Sequence, residues 1–296
     1  KGLKVKNFDG IAIDSREVKK NNIFLTIKGK NNDGTKFIPK ALEKGAKYIV
    51  SSHIDKKYRS KTIIVKNEIN FLNSFASLKR NSSTATIVAI TGSAGKTSLK
   101  NLITELLQNF GETCCSPKSY NNHFGVPISL SNLSINHKFG IFEVGMSKAG
   151  EINQLSKIIK PDLAVITNIG EAHIENFKNI QEIAKAKSEI LNNIRKYGKV
   201  ILNRDDRFFS FLNKKAKLKK IKVITFGKSK KSDVHLIKIK KYKEIKKIIV
   251  RVKNEILKLQ VKNIHIHNVL ASLAVLKEFG LDFKKSIQEF KNFQPS

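Results

Sequence analysis

Two hydrophobic rhythms divide this chain. Thr86 to Ile90 is a run of β-branched and apolar residues of the length of a strand buried on both faces, and from Ser98 to Phe110 the residues Leu99, Ile103, Leu106 and Leu107 recur at helical spacing. The turn between them, Thr91-Gly92-Ser93-Ala94-Gly95-Lys96-Thr97-Ser98, is rich in small residues. After it, apolar strands and helices alternate: a strand over Gly140 to Gly145, a helix over Ile152 to Ile159, a strand over Asp162 to Asn168, a long helix over Ile180 to Tyr197 and a strand over Lys199 to Leu202. Phe208 to Lys215 reads as a helix and Ile221 to Phe226 as a strand closed by Gly227. Such alternation predicts an α/β fold with a doubly wound, mostly parallel sheet.

The rhythm changes twice. From Val234 to Val261 apolar residues alternate with lysines, which predicts an antiparallel meander with one wet, lysine-covered face and a turn at Asn254. Before about residue 78 the pattern is that of a separate small α/β unit, with short strands over Ile11 to Arg16, Asn22 to Ile27 and Lys47 to Val50. A helix over Phe37 to Lys44 is closed there by Gly45. The expected domains are 1–80 and 81–296.

Composition narrows the class. The 296 residues suffice for two cores, and no apolar run approaches the roughly 20 residues of a membrane span. The chain opens on Lys1 with no charged and apolar leader, so a trimmed N-terminus and a cytoplasmic protein are expected. Cys114 and Cys115 are neighbours, which can neither staple distant segments nor complete a zinc site; they read as small residues at a strand start in a reducing compartment. Net charge is +33, and between Lys214 and Lys262 there are 19 Lys or Arg against three acidic residues, so about half the excess lies in that one stretch, which includes the meander. No interleaved aromatics or recognition-helix pattern accompany it, and a solvated face is the expectation, with no nucleic-acid or membrane partner. Bulk positive charge favours small polyanionic substrates.

The Gly-rich turn carries the chemistry. Gly92 and Gly95 permit positive φ and close backbone approach, helix N–H groups face the turn, Lys96 adds a full charge and Thr97 a hydroxyl where such loops hold Mg²⁺. A Walker A loop would have glycine where Ile90 stands. In a parallel sheet ligands bind at the carboxyl ends of the strands, where the turn, Glu143 and His173 all fall. A carboxylate and an imidazole beside Thr97 and a triphosphate can complete Mg²⁺ coordination. In the first unit Ser15, Arg16 and Asn32 to Gly34 lie in strand-end loops suited to ligand contacts, and Ser119 to Pro127 forms an amide-rich loop ending in a rigid turn.

The phosphate loop, Asn-Asn-His-Phe-Gly-Val-Pro from Asn121, Glu-Val-Gly-Met-Ser-Lys-Ala-Gly-Glu-Ile from Glu143, Ile-Thr-Asn-Ile-Gly-Glu-Ala-His from Ile166 and Ala-Lys-Ala-Lys-Ser-Glu-Ile from Ala184 closely resemble the Mur ligases. The resemblance implies an ATP-dependent amide ligase of peptidoglycan precursor synthesis. It implies that Gly92, Ser93, Ala94, Gly95, Lys96, Thr97, Ser98 and Asn268 bind ATP, and that Thr97, Glu143 and His173 ligate Mg²⁺. Lys187 matches the family's carbamylated lysine, so Lys96, Lys187 and His173 form the implied catalytic set. Ser15, Arg16, Asn32 and Asp33 match its UDP-sugar signature, and Asn121 and Asn122 stand in the substrate loop. That loop favours UDP-N-acetylmuramoyl-tripeptide and D-alanyl-D-alanine as substrates. The alternatives are a tripeptide-forming relative, a folylpolyglutamate-type synthetase, or a basic nucleotide- and RNA-binding module. The family's second adenine-site asparagine and a preceding glycine are here Ala271 and His265. The implied enzyme is a monomer whose third, C-terminal domain would follow Ser296.

Overall fold

The computed structural model describes residues 8–29, 33–53 and 55–294. These divide into two compact units, Lys1–Ser83 with Pro127–Ser134 and Thr84–Val126 with Ile135–Ser296.

The first unit holds a four-stranded all-parallel sheet in the order β1-β2-β3-β4, formed by Gly10–Ala12, Asn22–Leu25, Tyr48–Ser51 and Thr62–Ile64. The expected strands over 11–16 and 22–27 are thus shorter than the apolar runs suggested. Asp14 explains the first, because its carboxylate folds back on the Arg16 amide and guanidinium and turns the chain. The expected helix over 37–44 is observed as α1, Ile38–Glu43, preceded by a 3₁₀ turn because Pro39 fits only a first helical turn. A longer helix, α2 (Glu68–Ser82), was not foreseen; Asn67 caps it by accepting from the Asn70 amide. The core gathers Phe24, Ile38, Ala41 and Ile49.

The second unit is a nine-stranded sheet in the order β13-β12-β11-β10-β9-β8-β5-β7-β6. Its parallel part comprises β5 (Thr86–Thr91), β6 (Thr113–Cys115), β7 (Phe139–Glu143), β8 (Leu163–Ile166), β9 (Lys199–Asn203) and β10 (Lys222–Gly227). Ile87 to Ile90 are fully buried, as a central strand covered on both faces demands. The order reverses at β5, whose sequence-later neighbours β7 and β8 lie on opposite sides. This opens a crevice beyond its carboxyl end, where such sheets bind ligands.

Helices cover the sheet. Lys96–Gln108 (α3) follows β5. Gly125–Ser131 (α4), of which Pro127–Ser131 belongs to the first unit, replaces the rigid turn expected at Pro127, which sits within the helix's first turn. Glu151–Ile159 (α5) matches the pattern closely. The long helix expected over 180–197 is α6, Ile180–Lys187, followed by a 3₁₀ segment to Asn192. Competing polar bonds end it: Asn193 donates to the Asn153 carbonyl and the Ser156 hydroxyl, the Arg195 amide bonds the Pro161 carbonyl, and Tyr197 takes a positive φ of 69°. Phe209–Leu218 (α7) precedes β10. Ile266–Glu278 (α8), unforeseen in the pattern, is buried all along Asn268 to Leu276 and packs on α3 and β10, and Ile287–Asn292 (α9) lies against β13.

The meander is observed as β11 (Val234–Tyr242), β12 (Ile245–Val252) and β13 (Glu255–Lys262), antiparallel and continuous with the main sheet. Ile248, Val250, Leu257 and Leu259 face the core, and Lys240 stands opposite Lys247 across the ladder, a like-charge pairing that suits only a hydrated surface. No helix among the described residues is long and apolar enough to cross a membrane.

Leu106, fully buried in this core, is expected to lose about 2–5 kcal/mol of stability on Leu106→Ala, while Leu218→Ala, three-quarters exposed, stays within about 0.5 kcal/mol. Urea unfolding monitored by circular dichroism compares the two.

Candidate active site

The loop after β5 is shaped by two glycines. Gly92 has φ 151° and Gly95 φ 77°, and a Cβ on Gly92 would stand 1.9 Å from the Thr167 hydroxyl, so no larger residue fits there. A second chain segment holds the loop from beyond β8. The Thr167 hydroxyl donates to the Ala94 carbonyl at 2.8 Å, Asn168 Oδ1 accepts from the Ala94 amide at 2.9 Å, and Ser93 exchanges bonds with both backbone groups of Gly170. Asp206 in turn accepts the Ile169 amide at 2.8 Å. The motif from Ile166 to Gly170 is therefore a clamp on the phosphate loop. Asn268, buried at the start of α8, closes the other side by donating to the Gly95 carbonyl at 3.2 Å.

Gly95 begins α3 with no side-chain cap, so the first amides of the helix are left for a ligand. Next to them Glu143, 1% exposed at the end of β7, accepts from the Thr97 hydroxyl and from Asn121 Nδ2, each at 2.7 Å. Its backbone amide donates to the Ser116 hydroxyl. Asn121 also accepts the Gly145 amide through its carbonyl, and the side chain of Asn122 accepts the Phe124 and Gly125 amides, which folds the loop back on itself before α4. Ser98 continues the first turn of α3 behind these groups.

Two buried lysines meet here on one backbone carbonyl. Lys96 and Lys187 both donate to the Gly92 carbonyl, each at 3.0 Å. Burial lowers the Lys96 pKa against the opposing pull of Glu143. Lys187, 1% exposed, is pushed down to about 7 by burial and by the neighbouring Lys96 charge. A cavity of about 320 Å³ is lined by Lys96, Lys187, His173, Asn121, Asn122 and His123 among others. His173 stands at φ 63° in the turn after β8, half-exposed, with Glu175 3.8 Å away.

The structure thus brings Gly92 to Ser98, Asn268, Glu143, Asn121, Asn122, Lys187 and His173 into one unit around one crevice. Ser15, Arg16 and Asp33 belong to the first unit. There Ser15 is buried, the Arg16 guanidinium is paired with Asp14, and Asp33 caps a turn by accepting from both donors of Thr35, which hold its pKa down. Asn32 lies outside the described residues.

For a divalent cation, the hydroxyl of Thr97 and the carboxylate of Glu143 offer two adjacent hard oxygens, a donor set that fits Mg²⁺ with phosphate oxygens and waters completing the octahedron. Among the described residues no three His, Cys, Asp or Glu gather as a self-sufficient metal site, so a cation there depends on the ligand's own oxygens. An unmodified Lys187 repels a metal; a carbamate on it, carrying negative charge, is compatible with one beside His173.

Two features were not singled out in the sequence. Glu189, in the Ser-Glu-Ile motif, accepts the Gly150 and Asn153 amides and caps α5, a structural task. Lys100, one turn beyond Lys96, is 2% exposed and donates to the Ser116 and Lys118 carbonyls at 2.6 and 2.7 Å. Its place four residues after Lys96, among Leu99, Leu102 and Ile103 on a largely buried helix, was the available signal.

Comparison with known proteins agrees with this architecture. The Mur ligase middle domain model matches residues 90–277 and the Mur ligase family catalytic domain model residues 7–77. UDP-N-acetylmuramoyl-tripeptide–D-alanyl-D-alanine ligase of Rickettsia prowazekii is 34% identical over 285 residues, 95% of this chain and 63% of that protein. Among solved structures, MurF from Acinetobacter baumannii superposes with a TM-score of 0.85 at 25% identity, covering 97% of this chain and 63% of its own. MurF from Thermotoga maritima in complex with ADP gives 0.80 at 26%, covering 94% and 65%. The chain spans less than two thirds of the length of each.

With a folded pKa of about 7 and an unfolded value of 10.5, Lys187 is neutral in the fold but protonated in the unfolded chain between those limits. Its burial therefore penalises the fold fully below pH 7, and the penalty is relieved as pH rises towards 10.5. Lys187→Met is expected to raise the melting temperature at pH 6.5, with the advantage over the parent shrinking by pH 9.5.

Proposed function

This chain belongs to the Mur ligase family, and from that premise we propose that it serves an ATP-dependent ligase joining D-alanyl-D-alanine to UDP-N-acetylmuramoyl-tripeptide in peptidoglycan precursor synthesis. The observation that carries the reading is the meeting of the uncapped α3 N-terminus, Lys96 and the Thr97–Glu143–Asn121 chain at the lip of one cavity. The likeness to relatives named for this reaction supports the choice of substrates. We assign the reaction to the cytoplasm, where ATP is available.

A carboxylate resists attack by an amine because its carbon is electron-rich and its oxygen a poor leaving group. The reaction proposed begins when the terminal carboxylate oxygen of the tripeptide attacks the γ-phosphorus of ATP. The bond to the β,γ-bridging oxygen breaks, and ADP leaves with that electron pair. Lys96 and the free amides of α3 stabilise the charge of the two anions brought together. Thr97 and Glu143 would hold Mg²⁺, which when bound would neutralise further phosphate charge. The D-alanyl-D-alanine amine then adds to the acyl carbon, and the tetrahedral intermediate expels inorganic phosphate as the amine loses its proton. Asn121 and Asn122 line the cavity and are suited to orient the acyl group. We assign the nucleotide to Gly92 to Ser98 and Asn268, and the UDP-sugar to the first unit's Ser15, Arg16, Asn32 and Asp33.

Lys187 is suited to carbamylation because only a neutral amine adds to CO₂, and a group titrating near 7 is substantially neutral at cellular pH. The product is a buried carboxylate equivalent in the cavity that His173 also lines.

Phosphate release by the full-length protein is expected to require ATP, the UDP-muramoyl tripeptide and D-alanyl-D-alanine together. Release driven by RNA and indifferent to the muramoyl peptide overturns the reading. Lys96→Ala and Glu143→Ala are each expected to lower kcat by about 10²–10³-fold. Stripping dissolved CO₂ is expected to lower the rate of the parent enzyme, and bicarbonate to restore it, while Lys187→Arg responds to neither.

A further inference from the structure

The buried ammonium of Lys100 plays no part in the reaction just described. It lies one turn beyond Lys96 on α3, and both of its hydrogen bonds go to main-chain carbonyls, those of Ser116 and Lys118. A lysine buried to 2% without a bonded carboxylate is expensive, and the same space filled by methionine would remove that cost. What methionine could not do is satisfy two carbonyl oxygens on the segment that leaves β6.

That segment leads directly to Asn121 and Asn122, the residues assigned above to the acyl group. The Ser116 hydroxyl receives the Glu143 amide, the Ser116 amide bonds the Ile141 carbonyl, and Tyr120 donates to the Pro117 carbonyl. The Ser119 hydroxyl lies 3.4 Å from that of Thr97, and Asn121 reaches Glu143. Lys100 therefore fastens the chain just ahead of Ser119, Asn121 and Asn122 to the helix that carries Lys96 and Thr97. Thr104 bonds the Lys100 carbonyl and holds the same stretch of helix from behind.

We propose that Lys100 is a positioning residue that locks the 116–122 segment to α3, so that the group holding the acyl substrate and the group holding the phosphates keep a fixed separation. Through it the loop bearing Asn121 and Asn122 acquires its place from the phosphate-binding helix. The kinetic part rests on the ligase reading; the structural coupling does not.

The test compares Lys100→Met with Lys100→Gln, which retains a donor on a shorter side chain, in the full-length protein. Hydrogen exchange read by mass spectrometry is expected to show faster exchange in peptides covering 116–124 for Lys100→Met, unchanged exchange over the C-terminal half of α3, and an intermediate result for Lys100→Gln. ADP affinity is expected to stay within about twofold of the parent, whereas kcat/KM for the muramoyl peptide falls by about 10²-fold, the scale of an ångström's misplacement. In a double-mutant cycle with Asn121→Ala, the double variant is expected to be no slower than the slower single variant, because both changes remove one function. Unchanged exchange over 116–124, exchange rising across the whole second unit, a parallel loss of ADP affinity, or multiplicative effects in the cycle each overturn the proposal. If the parent shows no muramoyl-peptide-dependent turnover, the ligase reading fails on its own, and exchange and ADP binding still decide whether Lys100 couples the two segments.

Discussion

A carboxylate removed from water must have its oxygens satisfied, and Glu143 meets this demand by binding two different parts of the chain. One oxygen takes the Thr97 hydroxyl on the helix after β5 and the other takes the Asn121 amide on the loop before α4. Leaving either oxygen bare at 1% exposure would cost about 1–3 kcal/mol or more. The two loops consequently share one anchor at the carboxyl end of β7, next to the strand from which the phosphate loop springs. The reversal of strand order at β5 opens the crevice, and Glu143 fixes what stands on its rim.

Around that anion the lysines are arranged as donors to backbone carbonyls: Lys96 and Lys187 on Gly92, Lys100 on Ser116 and Lys118. Each has its pKa lowered by burial. Such a cluster is poised electrostatically, since an incoming polyphosphate adds negative charge beyond that of the single Glu143 carboxylate. Ligand binding and fold stability are linked through the same groups, and a polyanion that binds only the folded chain stabilises it by mass action.

The parts of this arrangement that sequence patterns revealed are those with a local cause. A buried strand followed by a glycine turn and a helix is readable because each element's periodicity and the turn's backbone needs lie within a few residues, and the phosphate loop, Glu143 on its strand and the lysine meander were found that way. Elements set by distant partners were not. The helix expected to run to Tyr197 ends early because Asn193 finds Asn153 and Ser156, some forty residues away in the sequence. Helix α8 is apolar on every side, so it offers no amphipathic stripe, and its identity comes from being packed between α3 and β10. The spacing of Lys100 along α3 points to its burial, but its role depends on two carbonyls in another segment, which that spacing does not identify. Roles for Ser15, Arg16 and Asp33 rest on motif likeness, because in the structure their visible bonds are those of ordinary turns.

Pro127–Ser134 is part of the first unit although the chain on either side of it belongs to the second. Within that excursion Asn132 accepts the Ile11 amide at 3.1 Å while donating to the Ile128 carbonyl, so the opening strand of the small sheet leans on a residue encoded more than a hundred positions later. The small unit is therefore not a contiguous module. During synthesis on the ribosome this contact can form only after the phosphate loop and α3 have been made, so the first unit cannot be completed before part of the second exists as chain.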